Sequence, residues 1–141
     1  MGRGESRAAD LAAVAMGGCL GTAARYLLEE GVAPLGGWFP VATLIANLCG
    51  AFVLGLFLEY LLLSGEDVGG RRAARLFFGT GACGSFTTYG TMVSEGLGIA
   101  GAGSIPPAAF YLGLALCAGA ALAAFGMRCA KILAARKGGA R

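Results

Sequence analysis

The chain has 141 residues, of which 57% are hydrophobic and only 13% charged, with a net charge of +3 and a mean hydropathy of +0.72. A water-soluble domain carries about 25% charged residues, so this composition excludes one and leaves a single small membrane-embedded bundle. Histidine is absent, which removes the commonest general base and the commonest neutral metal ligand; no paired carboxylates or activated nucleophile replace it, and no enzyme is expected.

Residues 1–10 form a polar N-tail, followed by an apolar run from Leu11 to Leu28. A secretory signal peptide is the competing reading of that run, but three further spans need an N-terminal partner. Gly17 and Gly21 make a small-xxx-small face that lets another backbone approach closely. Arg25, about one turn from the end of the run, is placed to snorkel toward the interface. A short loop follows with Glu29, Glu30 and Pro34; Trp38 and Phe39 read as interfacial anchors and Pro40 as a helix-starting residue. The second span, 40–63, has one strongly polar interruption, Asn47. An amide at that depth bonds another helix, a water or a ligand, and its composition does not choose among them.

A polar loop over 64–75 leads to a third apolar run, 76–94, and this one is unusual. From Gly79 to Ser94 it carries four glycines and the hydroxyls of Thr80, Ser85, Thr87, Thr88 and Thr91. Glycine loosens a helix, and Ser and Thr offer their hydroxyls to nearby backbone. Non-helical backbone at membrane depth is tolerated only where protein or a water-filled cavity covers it. The stretch therefore predicts a broken helix lining a polar path. Freed carbonyls can coordinate a small cation, and hydroxyls can serve an ion of either sign. Gly79-Thr-Gly81-Ala-Cys-Gly84 also fits a dinucleotide-binding pattern, but no strand precedes it and no acidic residue follows at the required distance. Residues 95–105 read as a Gly- and Ala-rich loop ending at Ser104. Pro106-Pro107 open the fourth span, 107–129, whose Ala115, Gly119 and Ala123 form a small-residue stripe. A basic tail closes the chain, giving a transmembrane domain over 11–130 and a C-tail over 131–141. The five cysteines are scattered singly and have no metal-ligand spacing.

Four spans put both tails and the 64–75 loop on one side. That side holds every Lys and Arg except Arg25, while the opposite loops carry Glu29, Glu30 and Glu95. The positive-inside rule then predicts a multi-pass protein of the inner or plasma membrane with both termini in the cytoplasm. No mid-membrane acid or base is expected, which favours passive conduction over proton-coupled transport.

Three blocks in order carry a family resemblance: Gly18-Cys-Leu-Gly21-Thr-Ala-Ala-Arg25-Tyr26, Thr43-Leu-Ile-Ala-Asn47-Leu-Cys-Gly50, and Gly81-Ala-Cys-Gly84-Ser-Phe-Thr87-Thr88-Tyr89-Gly-Thr91-Met92-Val-Ser94-Glu95. Together they resemble the Fluc (CrcB-type) fluoride channels. The resemblance implies an all-α membrane protein of four transmembrane helices, the third broken near its middle, assembled as an antiparallel dimer with two pores. It implies passive fluoride efflux and a central structural sodium ion held by main-chain carbonyls, here those of Gly84 and Thr87. It assigns the anion pathway to Asn47, Thr43, Tyr89 and Met92, with Arg25 in the vestibule; the hydroxyls of Thr88, Thr91 and Tyr111 complete the expected track. The partners implied are fluoride, the lipid bilayer and a second subunit; no nucleic acid is expected.

This chain departs from the family pattern in reading Thr-Thr-Tyr-Gly-Thr-Met where Thr-Thr-Phe-Ser-Thr-Phe is usual. It also has Ala115, Gly119 and Ala123 where the fourth helix usually carries hydroxyls. These departures, with the one-sided charge, point to one half of a pair of oppositely oriented paralogues. The alternatives are a four-span small-molecule exporter and a non-conducting partner subunit.

Overall fold

The computed structural model describes residues 3–36, 39–103 and 105–138; Gly37, Trp38, Ser104 and Arg141 lie outside the described residues. All regular structure among them is helical. Helix α1 spans Arg3–Gly36, α2 Val41–Leu63 and α3 Gly70–Ala74; α3 runs straight into a π-helical segment, Arg75–Cys83, and one α-turn, α4 (Gly84–Phe86). After two extended residues come α5, Tyr89–Gly101, and α6, Ile105–Gly138. Three helices are long and apolar enough to cross a membrane, over Arg7–Val32, Val41–Leu63 and Ile105–Arg136. The interrupted stretch from Gly70 to Gly101 is the fourth helical element.

Three helices extend beyond the spans read from the sequence. Helix α1 begins at Arg3 and continues past Leu28 to Gly36, and α6 runs on into the basic tail. At 34 residues each, both are about 51 Å long, well beyond a hydrocarbon core of about 30 Å. Helix α5 continues to Gly101, so Glu95 is a mid-helix residue and not part of a loop. Its C-terminal turn is made at Gly103, whose φ of +84° favours glycine.

Few side chains are buried, and many large apolar ones are exposed, including Leu11, Leu20, Leu27, Phe110, Leu116 and Phe125. Such a surface would aggregate in water; it is what lipid solvates. The interior is therefore held by close backbone packing. Gly17 and Gly21 of α1 lie directly on the π-helical segment, where a methyl group would overlap the carbonyls of Phe77 and Ala82. Gly81 returns the contact against the Val14 carbonyl. Helices α2 and α6 use the same device, with Gly55 on the Ala123 backbone and Gly126 on that of Phe52 and Leu56. Within the small-residue stripe, Ala123 makes this crossing, whereas Gly119 has no neighbour where its Cβ would be.

Ion pairs gather at the end that carries both tails. Asp10 of α1 pairs with Arg72, Asp67 with Arg75, and Glu59 of α2 with Lys131 of α6. The Arg75 guanidinium holds the Asp67 carboxyl below its ordinary range. At the other end Phe39 packs edge-on to Tyr111, with ring centroids 5.5 Å apart at 83°. It joins the small core of Met92, Tyr111 and Ala115 and is not a free interfacial anchor.

Candidate functional site

The break in the third helical element is built by two consecutive threonines with different tasks. Thr87 and Thr88 are both extended, at φ −84°, ψ 156° and φ −148°, ψ 124°. Thr87 closes the first half: its amide and its hydroxyl both donate to the Cys83 carbonyl, at 3.0 and 2.9 Å. Thr88 opens the second half as the N-cap of α5. Its Oγ1 accepts from the Thr91 amide at 3.2 Å and donates to the Thr91 hydroxyl at 3.1 Å. A Thr cap satisfies one of the donors left orphaned at a helix start.

Asn47 of α2 bridges the gap. Its Nδ2 donates to the Thr88 carbonyl at 2.9 Å, and its Oδ1 accepts from the Thr88 amide at 2.8 Å. The single amide thus replaces the helical acceptor that the Thr88 amide loses and gives the Thr88 carbonyl a donor from another helix. One Nδ2 hydrogen is left over for a further acceptor. Gly50, one turn on, presses against the Thr87 γ-methyl, where any side chain would collide. Asn47 and Gly50 therefore fix the position of the break from the outside.

This arrangement frees the last four carbonyls of the first half, those of Gly84, Ser85, Phe86 and Thr87. In an uninterrupted helix the Gly84 carbonyl accepts from the Thr88 amide and the Thr87 carbonyl from the Thr91 amide. Here those amides go to Asn47 and to the Thr88 hydroxyl. Gly84 and Thr87, the positions that the resemblance assigns to sodium, are two of these four carbonyls, and main-chain oxygens are ligands that a hard cation accepts. Among the described residues no group of three His, Cys, Asp or Glu could hold a metal, so a cation here would rest on main-chain oxygens. Space beside Gly84 is open within the chain.

On the other side of the break a groove of about 360 Å³ is lined by Asn47, Thr88, Tyr89, Met92, Ala115 and Gly119, among others, and no lining residue is charged. The N-terminus of α5 opens beside it. The first amides of a helix have no intrahelical acceptor and carry the positive end of its dipole. One helix break thus supplies a carbonyl-rich end suited to a cation and an amide-rich end suited to an anion.

The eight residues expected along an anion track do not all meet there. Asn47, Thr88, Tyr89 and Met92 line the groove, and Thr91 is bonded to Thr88 just behind it. Tyr89 is 73% exposed, while Met92 is buried in the core and only its edge reaches the groove. Thr43 and Tyr111 are buried at 3% and 0% exposure. Both hydroxyls donate to one carboxylate, Glu95, at 2.8 Å each. Arg25 is engaged by its neighbour one turn on: its Nε and Nη2 both lie 2.7 Å from Glu29 Oε1.

Glu95 is the residue that the sequence reading placed in a loop; it is half-buried on α5 and bonded to Thr43 near the start of α2. A carboxylate inside an apolar bundle is tolerated when buried donors satisfy it. Its signal was available: Glu95 follows Met92 by three positions and Thr91 by four, the spacing of one helical face.

The family model described as CrcB-like protein, Camphor Resistance (CrcB), matches residues 12–127. The chain is 41% identical over 125 residues to the fluoride-specific ion channel FluC 2 of Leifsonia xyli subsp. xyli, covering 89% of this chain and 86% of the relative. It is 40% identical over 119 residues to the fluoride-specific ion channel FluC of Thermus thermophilus, covering 82% and 88%. A third relative, the fluoride-specific ion channel FluC of Chlorobium chlorochromatii, shares 40% over 106 residues, covering 75% and 80%.

Proposed function

The chain belongs to the CrcB-like family of fluoride channels, and from that premise we propose that it conducts fluoride passively out of the cytoplasm as one subunit of an antiparallel, two-pore dimer. The observation that carries the reading is the uncharged groove at the break, with Asn47, Thr88 and the start of α5 on its wall. Fluoride is small and strongly hydrated, so a conducting path must replace its water with hydrogen-bond donors. The spare Asn47 N–H, the Tyr89 hydroxyl and the first α5 amides are such donors, and they carry no fixed charge to trap the ion.

A structural sodium is proposed on the carbonyls of Gly84 and Thr87. When bound, it would neutralise the carbonyl dipoles where two subunits cross. Two carbonyls are too few for a hard cation, which takes about six oxygens, and a second copy would double them. The apolar groove of about 630 Å³ beside the break, walled by Leu20, Cys49, Phe77, Cys83 and Phe86, is the surface proposed for that copy. Gly84→Val tests the assembly. Space around Gly84 is open within the chain, so the variant subunit should fold normally but run as a monomer in size-exclusion chromatography. A dimer of unchanged elution and sodium dependence would count against a shared site at the break.

The orientation proposed has both termini in the cytoplasm, since the ion-paired end carries nearly all the basic residues. A chain so strongly biased does not insert both ways readily. The face of α6 on the groove, Ala115, Leu116 and Gly119, also supplies no hydroxyl. Both observations favour a second reading in which the partner is an oppositely oriented paralogue that completes the anion track. Fluoride efflux from liposomes, with chloride as the comparison ion, decides between them. Selective efflux is expected only when such a paralogue is co-reconstituted. Full fluoride efflux from this chain alone would support the homodimer, and none under either condition would overturn the channel reading.

A further inference from the structure

Among the described residues, Arg25 is the only basic one outside the tail-bearing end. It lies about 22 Å along α1 from Asp10, and Thr43 lies about 24 Å along α2 from Glu59. Asp10 and Glu59 both sit in the ion-paired cluster at that end. Arg25 is therefore level with the Thr43–Glu95–Tyr111 cluster, and its charge is felt at Tyr111. Yet the charge is not available to an ion. Glu29, one turn on, engages both Nε and Nη2 of the guanidinium, whose side chain is 14% exposed against 44% for Glu29. At contact distance the carboxylate offsets most of the field of Arg25. The remaining charges of that end, Glu30 and Glu95, are both negative.

We propose that Glu29 is a specificity-determining residue of this chain, which pairs Arg25 and so sets the electrostatic barrier that an anion meets at the mouth opposite the tails. The inference rests on the fluoride-channel reading. Releasing Arg25 turns a neutral pair into a cation beside the entry, which raises the local anion concentration and the rate of entry.

The test is the initial rate of fluoride efflux from liposomes holding the full chain, with its paralogue if conduction requires one, for wild type, Glu29→Gln and Glu30→Gln. Glu30 is exposed and has the same charge one residue on, turned about 100° away around the helix. At about 10 mM salt, Glu29→Gln should raise the rate roughly two- to tenfold. The gain should shrink severalfold at about 300 mM salt, where charges more than a few ångströms apart are screened. Glu30→Gln should change the rate by less than about half as much, because it frees no cation. Arg25→Gln combined with Glu29→Gln should lose the gain. An unchanged or lower rate for Glu29→Gln, or an equal rise for Glu30→Gln, overturns the role of Glu29 while leaving the channel intact. Wild-type protein that passes no fluoride under any condition overturns the channel reading and this inference with it.

Discussion

Asn47→Asp is expected to lower fluoride efflux at least tenfold and to destabilise the helix break. Asn47 donates to the Thr88 carbonyl and accepts from the Thr88 amide, and only a side chain with one donor and one acceptor does both. Ionised aspartate has no donor, so one carboxylate oxygen would face the Thr88 carbonyl. Leaving that carbonyl unsatisfied costs about 1–3 kcal/mol before the repulsion is added. The carboxylate would also stand on the wall of the groove, where it opposes an anion. Asn47→Ala separates the two effects, since it removes both hydrogen bonds without adding charge. If efflux falls equally in both variants while the melting temperature drops, Asn47 acts only through the break. If aspartate is much the more damaging to efflux, the groove is the anion path. Wild-type efflux in the aspartate variant would remove Asn47 from the path altogether.

The second large effect is structural. Gly21→Val should leave no monodisperse protein in detergent. The added side chain would meet the Ala82 backbone, carbonyl oxygen included, and backbone cannot rotate out of the way. Overpacking of a well-packed contact costs about 1–3 kcal/mol even where side chains can yield. Here α1 would have to separate from the π-helical segment, a large share of a net stability of about 5–15 kcal/mol. Gly31→Ala is the control: nothing lies near its would-be Cβ, so it should be neutral or stabilise by up to about 1 kcal/mol. Elution profile and melting temperature in one detergent compare the two. A well-behaved Gly21→Val protein would show that the backbone contact does not hold the bundle together.

Glu95 changes the standing of one argument. The expectation of no mid-membrane carboxylate weighs against a proton-coupled carrier, but Glu95 is a half-buried carboxylate bonded to Thr43 and Tyr111 toward the end opposite the tails. The preference for a passive channel therefore rests on family membership and on the uncharged groove. Glu95 escaped the sequence reading because Gly96, Gly98, Gly101 and Gly103 follow it. A run so poor in helix formers looks like a loop in water, whereas packing of α5 on α6 keeps it helical to Gly101.

Composition alone established a small all-helical membrane protein, because a chain this apolar has only lipid to solvate it and helices keep their backbone bonded there. The glycines and threonines of 79–94 marked the break, since no plain span would carry them. Periodicity could not say where each polar side chain goes. Asn47 could equally have met a ligand, a water or a helix, and only the crossing of α2 with the break gives it both groups of Thr88. Thr43 and Tyr111 read from sequence as two separate hydroxyls, and only the packing of three helices brings both onto Glu95. Local sequence determined which backbone would break, because that is a matter of propensity within a few residues. The tertiary structure decided which hydrogen bonds replaced the broken ones, because those partners lie on other helices.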